Sequence, residues 1–307
     1  RNTGRVPSPV PDVVYHPDLA RIARFIPRRL VGPQTAPVMQ YLSRRMGRSA
    51  PDGVEVLTLS SGVTLRLHRP RGVTKPGPAL LWMHGGGYVL GSPAQDDKLC
   101  RRYAGELGAT VAAVQYRLAP QNPYPAGLDD CYAALTWLAQ LPTVDPSRLA
   151  IGGASAGGGM AAALALLARD RGEVQLAAQV LVYPMLDDRT VGPEFDDPGH
   201  RLWTQGSNGF GWRAYLGGAD PEVAVPARNP DLSGLPPAWI GIGTHDLFHD
   251  EDLAYAQRLR EAGVPVEVEV VAGAFHGFDA IAPKTAVSQD FIGSQIATLR
   301  RAFTAAP

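Results

Sequence analysis

Leu149-Ala150-Ile151-Gly152-Gly153-Ala154-Ser155-Ala156-Gly157 passes from apolar to small residues around one hydroxyl. Leu149 to Ile151 reads as a buried strand, and Ala156 to Arg169 as a helix. Between them lies the pattern G-x-S-x-G, Gly153 to Gly157. A strand that turns directly into a helix folds back sharply, and only small side chains fit beside such a turn. The turn leaves the serine exposed at the end of the sheet. There the helix N-terminus favours developing negative charge. These nine residues therefore predict a parallel strand–helix unit, Ser155 as nucleophile, and the Ala156 N–H as a donor to an oxyanion.

Upstream, His84-Gly85-Gly86-Gly87 directly follows the apolar run Ala79 to Met83. Consecutive glycines let main-chain N–H groups converge on one point without side-chain obstruction. The run is expected to lend such donors to an oxyanion, with His84 in a structural role. A base must come from seven histidines. His276 follows the last apolar run, Val266 to Val271, and loops at the carboxyl ends of parallel strands hold the site in such sheets. His16, His68 and His200 precede the region where the base belongs. Asp246, after the run Ala238 to Ile242, is the expected acid. It would fix the imidazole tautomer and stabilise the imidazolium. Asp250 is its rival and also reads as a helix N-cap. Asp279 follows His276 too closely for the order Ser, Asp, His.

The wider pattern agrees. Val54 to Leu59 and Val63 to Leu67 alternate about Ser61-Gly62, a hairpin. Further apolar runs lie at Thr110 to Val114 and Ala178 to Tyr183. Helical stretches fall at Asp129 to Gln140, Glu251 to Ala262 and Ser288 to Phe303. Continuous apolar strands alternating with helices imply an α/β fold with a mostly parallel, doubly wound sheet. Residues 1–50 read as a separate helical cap segment, with Leu19, Ile22, Phe25 and Ile26 on one face and Met39, Leu42 and Met46 on another. Residues 51–307 form the catalytic domain. Within it, 189–226 is an irregular insertion carrying Phe195, Trp203, Phe210, Trp212 and Tyr215, expected to contribute to the cap and pocket.

With 307 residues and a formal net charge of zero, the composition is that of a globular protein with no pull toward nucleic acid. Residues 1–50 nonetheless hold nine arginines against two acids, Asp12 and Asp18. That surplus is expected to be a solvated basic face. Cys100 and Cys131 are the only cysteines, expected as free thiols in a reducing, cytoplasmic compartment. The Arg1 start leaves an upstream signal open. No apolar run reaches the length of a membrane span. His245 and His249, four apart and beside Asp246 and Asp250, resemble a helical metal pair with His276 as a third ligand. Asp246 stands where H-E-x-x-H has its glutamate, and the stretch follows a strand, so no metal is expected.

Taken with these motifs, Tyr116-Arg117-Leu118-Ala119-Pro120, Tyr183-Pro184 and Asp246-Leu247-Phe248-His249-Asp250 resemble the hormone-sensitive-lipase-like family of α/β-hydrolase esterases, from about Leu81 to Phe278. The resemblance implies an α/β-hydrolase fold beneath an N-terminal helical cap. It implies a catalytic triad of Ser155, Asp246 and His276 and an oxyanion hole of Gly86, Gly87 and Ala156, with Gly85 shaping the turn. The implied activity is that of a carboxylesterase on short- to medium-chain acyl esters, working without a cofactor on a small-molecule substrate. An amidase or arylacetamide-type deacetylase would share the triad, and a small-molecule receptor could share the fold. The resemblance is consistent with a homodimer. The chain departs from the family pattern at Ala154, where Asp or Glu is common, at Gln115 and Gln121, where acids are usual, and at Leu247 in place of Pro.

Overall fold

The computed structural model describes residues 13–47, 49–72 and 75–305, with the side chains of residues 44 and 46 left aside. Two helices come first, α1 (Pro17–Ala23) and α2 (Ala36–Met46), followed by β1 (Val54–Thr58), β2 (Thr64–His68) and β3 (Gly77–Met83). Then α3 (Asp97–Leu107), β4 (Thr110–Gln115), α4 (Ala126–Ala139), β5 (Val144–Ala154), α5 (Ala156–Arg171) and β6 (Ala178–Val182) alternate. After α6 (Gln205–Leu216) and α7 (Pro221–Ala224) come β7 (Ala238–His245), α8 (His249–Glu261), β8 (Val266–Phe275), α9 (Phe278–Ile281) and α10 (Ala286–Thr304).

The eight strands form one sheet in the order β1-β2-β4-β3-β5-β6-β7-β8. The expected hairpin is present, with Val54 opposite His68 and Thr58 opposite Thr64. It joins β4 antiparallel, and every pair from β4 to β8 is parallel. The apolar runs have the expected cause: Ala79 to Met83 and Val111 to Val114 are fully buried, because helices cover both faces. Strand order reverses between β3 and β5. A doubly wound sheet opens its crevice at such a switch point, outside the carboxyl ends of the strands.

The strands run further than their apolar cores. β5 extends to Ala154, β7 to His245 and β8 to Phe275. Ser155, Asp246 and His276 are therefore each the first residue beyond a strand. His245 pairs with Phe275, which sets Asp246 and His276 side by side at the edge of the crevice.

Three expectations need correction. α3 was not foreseen, although Cys100, Tyr103 and Ala104 are buried along one of its faces. Residues 189–226 are not irregular throughout, since α6 contributes three turns there. In the N-terminal segment, Leu19 and Ala23 are buried but Phe25 is 80% exposed. α1 ends at Ala23, so Phe25 leaves the helical face that its spacing assigned. On α2, Leu42 likewise points outward and Gln40 is buried. Met46 lies among the side chains left aside.

Candidate active site

The Ser155 backbone sits at φ 58° and ψ −122°, a strained conformation for a residue with a side chain. Two hydrogen bonds from the end of β6 hold it. The Ser155 N–H donates to the Val182 carbonyl at 2.8 Å, and the Met185 N–H donates to the Ser155 carbonyl at 3.0 Å. The flanking glycines are obligatory for lack of room. A Cβ on Gly153 would lie 2.3 Å from the Gly157 carbonyl oxygen, and one on Gly157 would lie 2.1 Å from that of Met83.

The side chains beyond the three strands converge. His276 Nδ1 lies 2.7 Å from Asp246 Oδ2, and His276 Nε2 lies 2.8 Å from Ser155 Oγ. With the carboxylate accepting from Nδ1–H, Nε2 is left to accept from the serine hydroxyl. The other oxygen of Asp246 accepts the Phe248 N–H at 3.0 Å, which fixes the carboxylate at the start of α8. All three residues are buried. The rings of Phe248 and Tyr183 stand edge-on to the imidazole, with centroids at 5.2 and 4.8 Å.

Facing Ser155 is the glycine loop after β3. A Cβ on Gly85 would be 3.3 Å from Ser155 Cβ. Gly86 and Gly87 adopt φ values of 134° and 60°, open to glycine at little cost. Among the described residues, the N–H groups of Gly86, Gly87 and Ala156 donate to no protein acceptor. Gly87 and Ala156 are buried and Gly86 is half-buried, an arrangement of amides beside a hydroxyl that can receive a ligand oxygen.

His84 takes the structural role expected of it. Its Nδ1–H donates to the Gly85 carbonyl at 2.8 Å, and its ring stacks on Tyr116 at 4.4 Å. Burial lowers its pKa to about 4, so it remains neutral at physiological pH. The Tyr116 hydroxyl donates to the His84 carbonyl, the Ala119 N–H donates to the Tyr88 carbonyl, and Arg117 pairs with Asp130 on α4. The stretch Tyr116 to Pro120 is thus the scaffold under the glycine loop.

The remaining candidates fall outside this cluster. Asp250 does not cap α8, whose N-cap is Phe248, and its side chain is 94% exposed. The two histidines of the metal-like spacing diverge. His245 donates to the Val14 carbonyl, while His249 pairs with Asp250. Among the described residues, no group of three or more metal-binding side chains is assembled. Asp279 accepts the Tyr183 hydroxyl. His200, set aside on sequence position, folds back within electrostatic reach of Asp246, and burial holds its pKa below the usual imidazole value.

The insertion, expected at the cap and pocket, also packs on the glycine loop, a contact that sequence reasoning missed. A Cβ on Gly87 would lie 2.1 Å from the Trp203 ring, so the indole backs the glycine loop directly. Leu202, at φ 67°, donates its N–H to the Pro27 carbonyl. The N-terminal segment is bound in the same region. His16 N–H donates to the Gly273 carbonyl, Ser207 Oγ to the Val31 carbonyl, and Gln40 to the Val89 carbonyl and to Gln121. Gln121, one departure from the family pattern, is therefore an anchor for α2. Cys100 and Cys131 are free and buried, and no helix among the described residues is long and apolar enough to cross a membrane.

Comparison with known proteins gives concordant relatives. The family model described as the alpha/beta hydrolase fold matches residues 80–280. The chain is 35% identical to the carboxylesterase NlhH of Mycobacterium tuberculosis, over 94% of this chain and 91% of that protein. It is 37% identical to an ethyl acetate hydrolase of Pseudomonas putida, over 74% and 76% of the two chains. Among solved structures, a bacterial heroin esterase superposes with a TM-score of 0.84 at 36% identity, covering 94% of this chain and 98% of its own.

Proposed function

The chain belongs to the α/β-hydrolase family, among its hormone-sensitive-lipase-like esterases, and from that membership we propose that it is a serine carboxylesterase working through Ser155, His276 and Asp246. As a carboxylic ester hydrolase it acts on small esters; the proposal extends to the residues, the acyl-enzyme and the preference for short- to medium-chain acyl groups. The observation that carries it is the unbroken relay Asp246–His276–Ser155, at 2.7 and 2.8 Å, facing the unpaired amides of Gly86, Gly87 and Ala156. In this reading the described part of the N-terminal segment, residues 13–47, caps the crevice together with the insertion 189–226.

In the first step His276 takes the Ser155 proton as Oγ attacks the ester carbonyl. Negative charge collects on the carbonyl oxygen and is met by the three amides, whose dipoles are already oriented. Losing one such donor typically costs about 3 kcal/mol of transition-state stabilisation. His276 then protonates the departing alcohol. Water, deprotonated by the same imidazole, releases the acid and restores Ser155. Asp246 keeps its hydrogen bond to Nδ1–H and stabilises the imidazolium.

A fluorophosphonate probe tests this, read by mass spectrometry, together with turnover of p-nitrophenyl esters of increasing chain length. The label is expected on Ser155, and Ser155→Ala is expected to lose nearly all turnover while melting like the wild type. Wild-type-like hydrolysis by Ser155→Ala would refute the assignment. Matched anilides measure any amidase component.

A further inference from the structure

Between the turn that bears Ser155 and the loop that bears His276 lies a buried hydrogen bond that the mechanism above does not use. Tyr183 follows β6 at φ 35°, in the left-handed region that non-glycine residues rarely enter. Val182 just before it and Met185 two residues after it are the residues that clamp the Ser155 backbone. Its own N–H donates to the Gly241 carbonyl on β7. Its hydroxyl donates to Asp279 Oδ1 at 2.7 Å, with both residues buried. Asp279 lies in the first turn of α9, three residues beyond His276. The Tyr183 ring stands at 62° to the imidazole, 4.8 Å away.

We propose that Tyr183 and Asp279 are positioning residues that tie the nucleophile turn to the base loop, fixing the approach of His276 Nε2 to Ser155 Oγ. This rests on the reading of Ser155 and His276 as nucleophile and base. The tie has three links. The Val182 to Met185 segment holds the serine backbone. The Tyr183 ring closes one side of the imidazole, opposing rotation about its side-chain bonds. The hydroxyl bond to Asp279 then fixes the ring to the backbone that leaves His276. Strained backbone persists where the surroundings over-determine it, and here the buried bond to Asp279 is what holds Tyr183 in place. The ring alone would supply packing. The hydroxyl makes the packing directional, because a buried phenol that loses its acceptor is free to move to another partner.

The test compares Tyr183→Phe, Asp279→Ala and Asp279→Asn on a soluble p-nitrophenyl ester, with labelling of Ser155 by the fluorophosphonate followed over time. Tyr183→Phe keeps the ring and loses the donor. Asp279→Asn keeps one carbonyl oxygen for the hydroxyl, and Asp279→Ala keeps none. Tyr183→Phe and Asp279→Ala should lower kcat about tenfold with KM little changed, the kind of loss that a slight misplacement of reacting groups produces. Labelling of Ser155 should slow in parallel. Asp279→Asn should recover most of the wild-type kcat, and Tyr183→Phe combined with Asp279→Ala should be no worse than either alone. A purely structural role would lower the melting temperature and leave kcat of the folded enzyme and the labelling rate unchanged. That result, or equal impairment in Asp279→Asn and Asp279→Ala, overturns the proposal while Ser155 remains labelled. If wild-type Ser155 takes no label, the reading of the site falls and the tie falls with it.

Discussion

Gly157 and Gly105 both lie inside helices, yet a methyl group would meet different surroundings at each. On Gly105 of α3 it would have nothing within 4 Å, whereas on Gly157 of α5 it would strike the Met83 and His84 carbonyls at 2.1 and 2.5 Å. Alanine is intrinsically the better helix former by about 1 kcal/mol. Gly105→Ala should therefore stabilise the fold by about 0.5–1 kcal/mol and leave activity alone. Gly157→Ala should push the serine turn away from the glycine loop, and activity should fall by about 100-fold, since a 1 Å displacement costs that much. Urea melts and p-nitrophenyl ester turnover measure both, and a fully active Gly157→Ala would contradict the packing described. The residues of this site were legible in the sequence because chemistry demands their identity and order: small residues about a nucleophile, glycines for free amides, Asp before His. Tyr183 and Leu202 were not legible as strained positions. Nothing in their side chains favours a positive φ, and tertiary hydrogen bonds impose it.

The strands were readable in kind and short in extent. Apolar runs mark where helices cover both faces of the sheet, but β5, β7 and β8 continue past those runs to deliver Ser155, Asp246 and His276. α3 had a helical stripe in Cys100, Tyr103 and Ala104, diluted by charged neighbours. The insertion was harder, because its burial is paid for by partners distant in sequence. Trp203 packs on Gly87 from 116 residues away in the chain and donates its indole N–H to Asn208 on α6. At this scale the insertion is a brace for the glycine loop that faces Ser155. Trp203→Ala removes that brace and should lower kcat by about tenfold or more, toward the 10²–10³ measured for the loss of a donor outright. Trp203→Phe should retain more activity by keeping an aromatic face against the loop. Comparing kcat for the two at matched folded fractions checks the claim. Equal, undiminished kcat in both would show the loop to be self-supporting.

Across the whole molecule, the hairpin and the strand-order reversal place a reactive crevice above a densely buried sheet, and several ionisable groups are buried with it. Glu251, in the first turn of α8, accepts from the Leu186 and Asp187 N–H groups and from the Thr190 hydroxyl, tying α8 to the start of the insertion. Burial pushes its pKa up to about 8 in spite of those donors. Desolvation likewise raises Asp96, beside the Trp82 indole, to about 7, and raises Asp252 and Asp279. The folded chain thus holds protons that the unfolded chain releases above the usual carboxylate range, about pH 4. Their contribution to stability is complete below that range and drains away as pH rises through 7 and 8. His68 and His84 act in the opposite sense. Burial lowers both to about 4, so their contribution is complete above the unfolded value near 6.5 and is lost as pH falls toward 4. Above 6.5 His68 and His84 no longer contribute to the slope, while the buried carboxyl groups still do. The urea midpoint should therefore decline from pH 6.5 to 8.5. Glu251→Gln keeps an oxygen for the two amides and cannot ionise, so its midpoint should decline less steeply over that interval. Parallel curves for the variant and the wild type would mean that Glu251 carries an ordinary carboxylate charge in the folded protein, and that the pH dependence arises elsewhere.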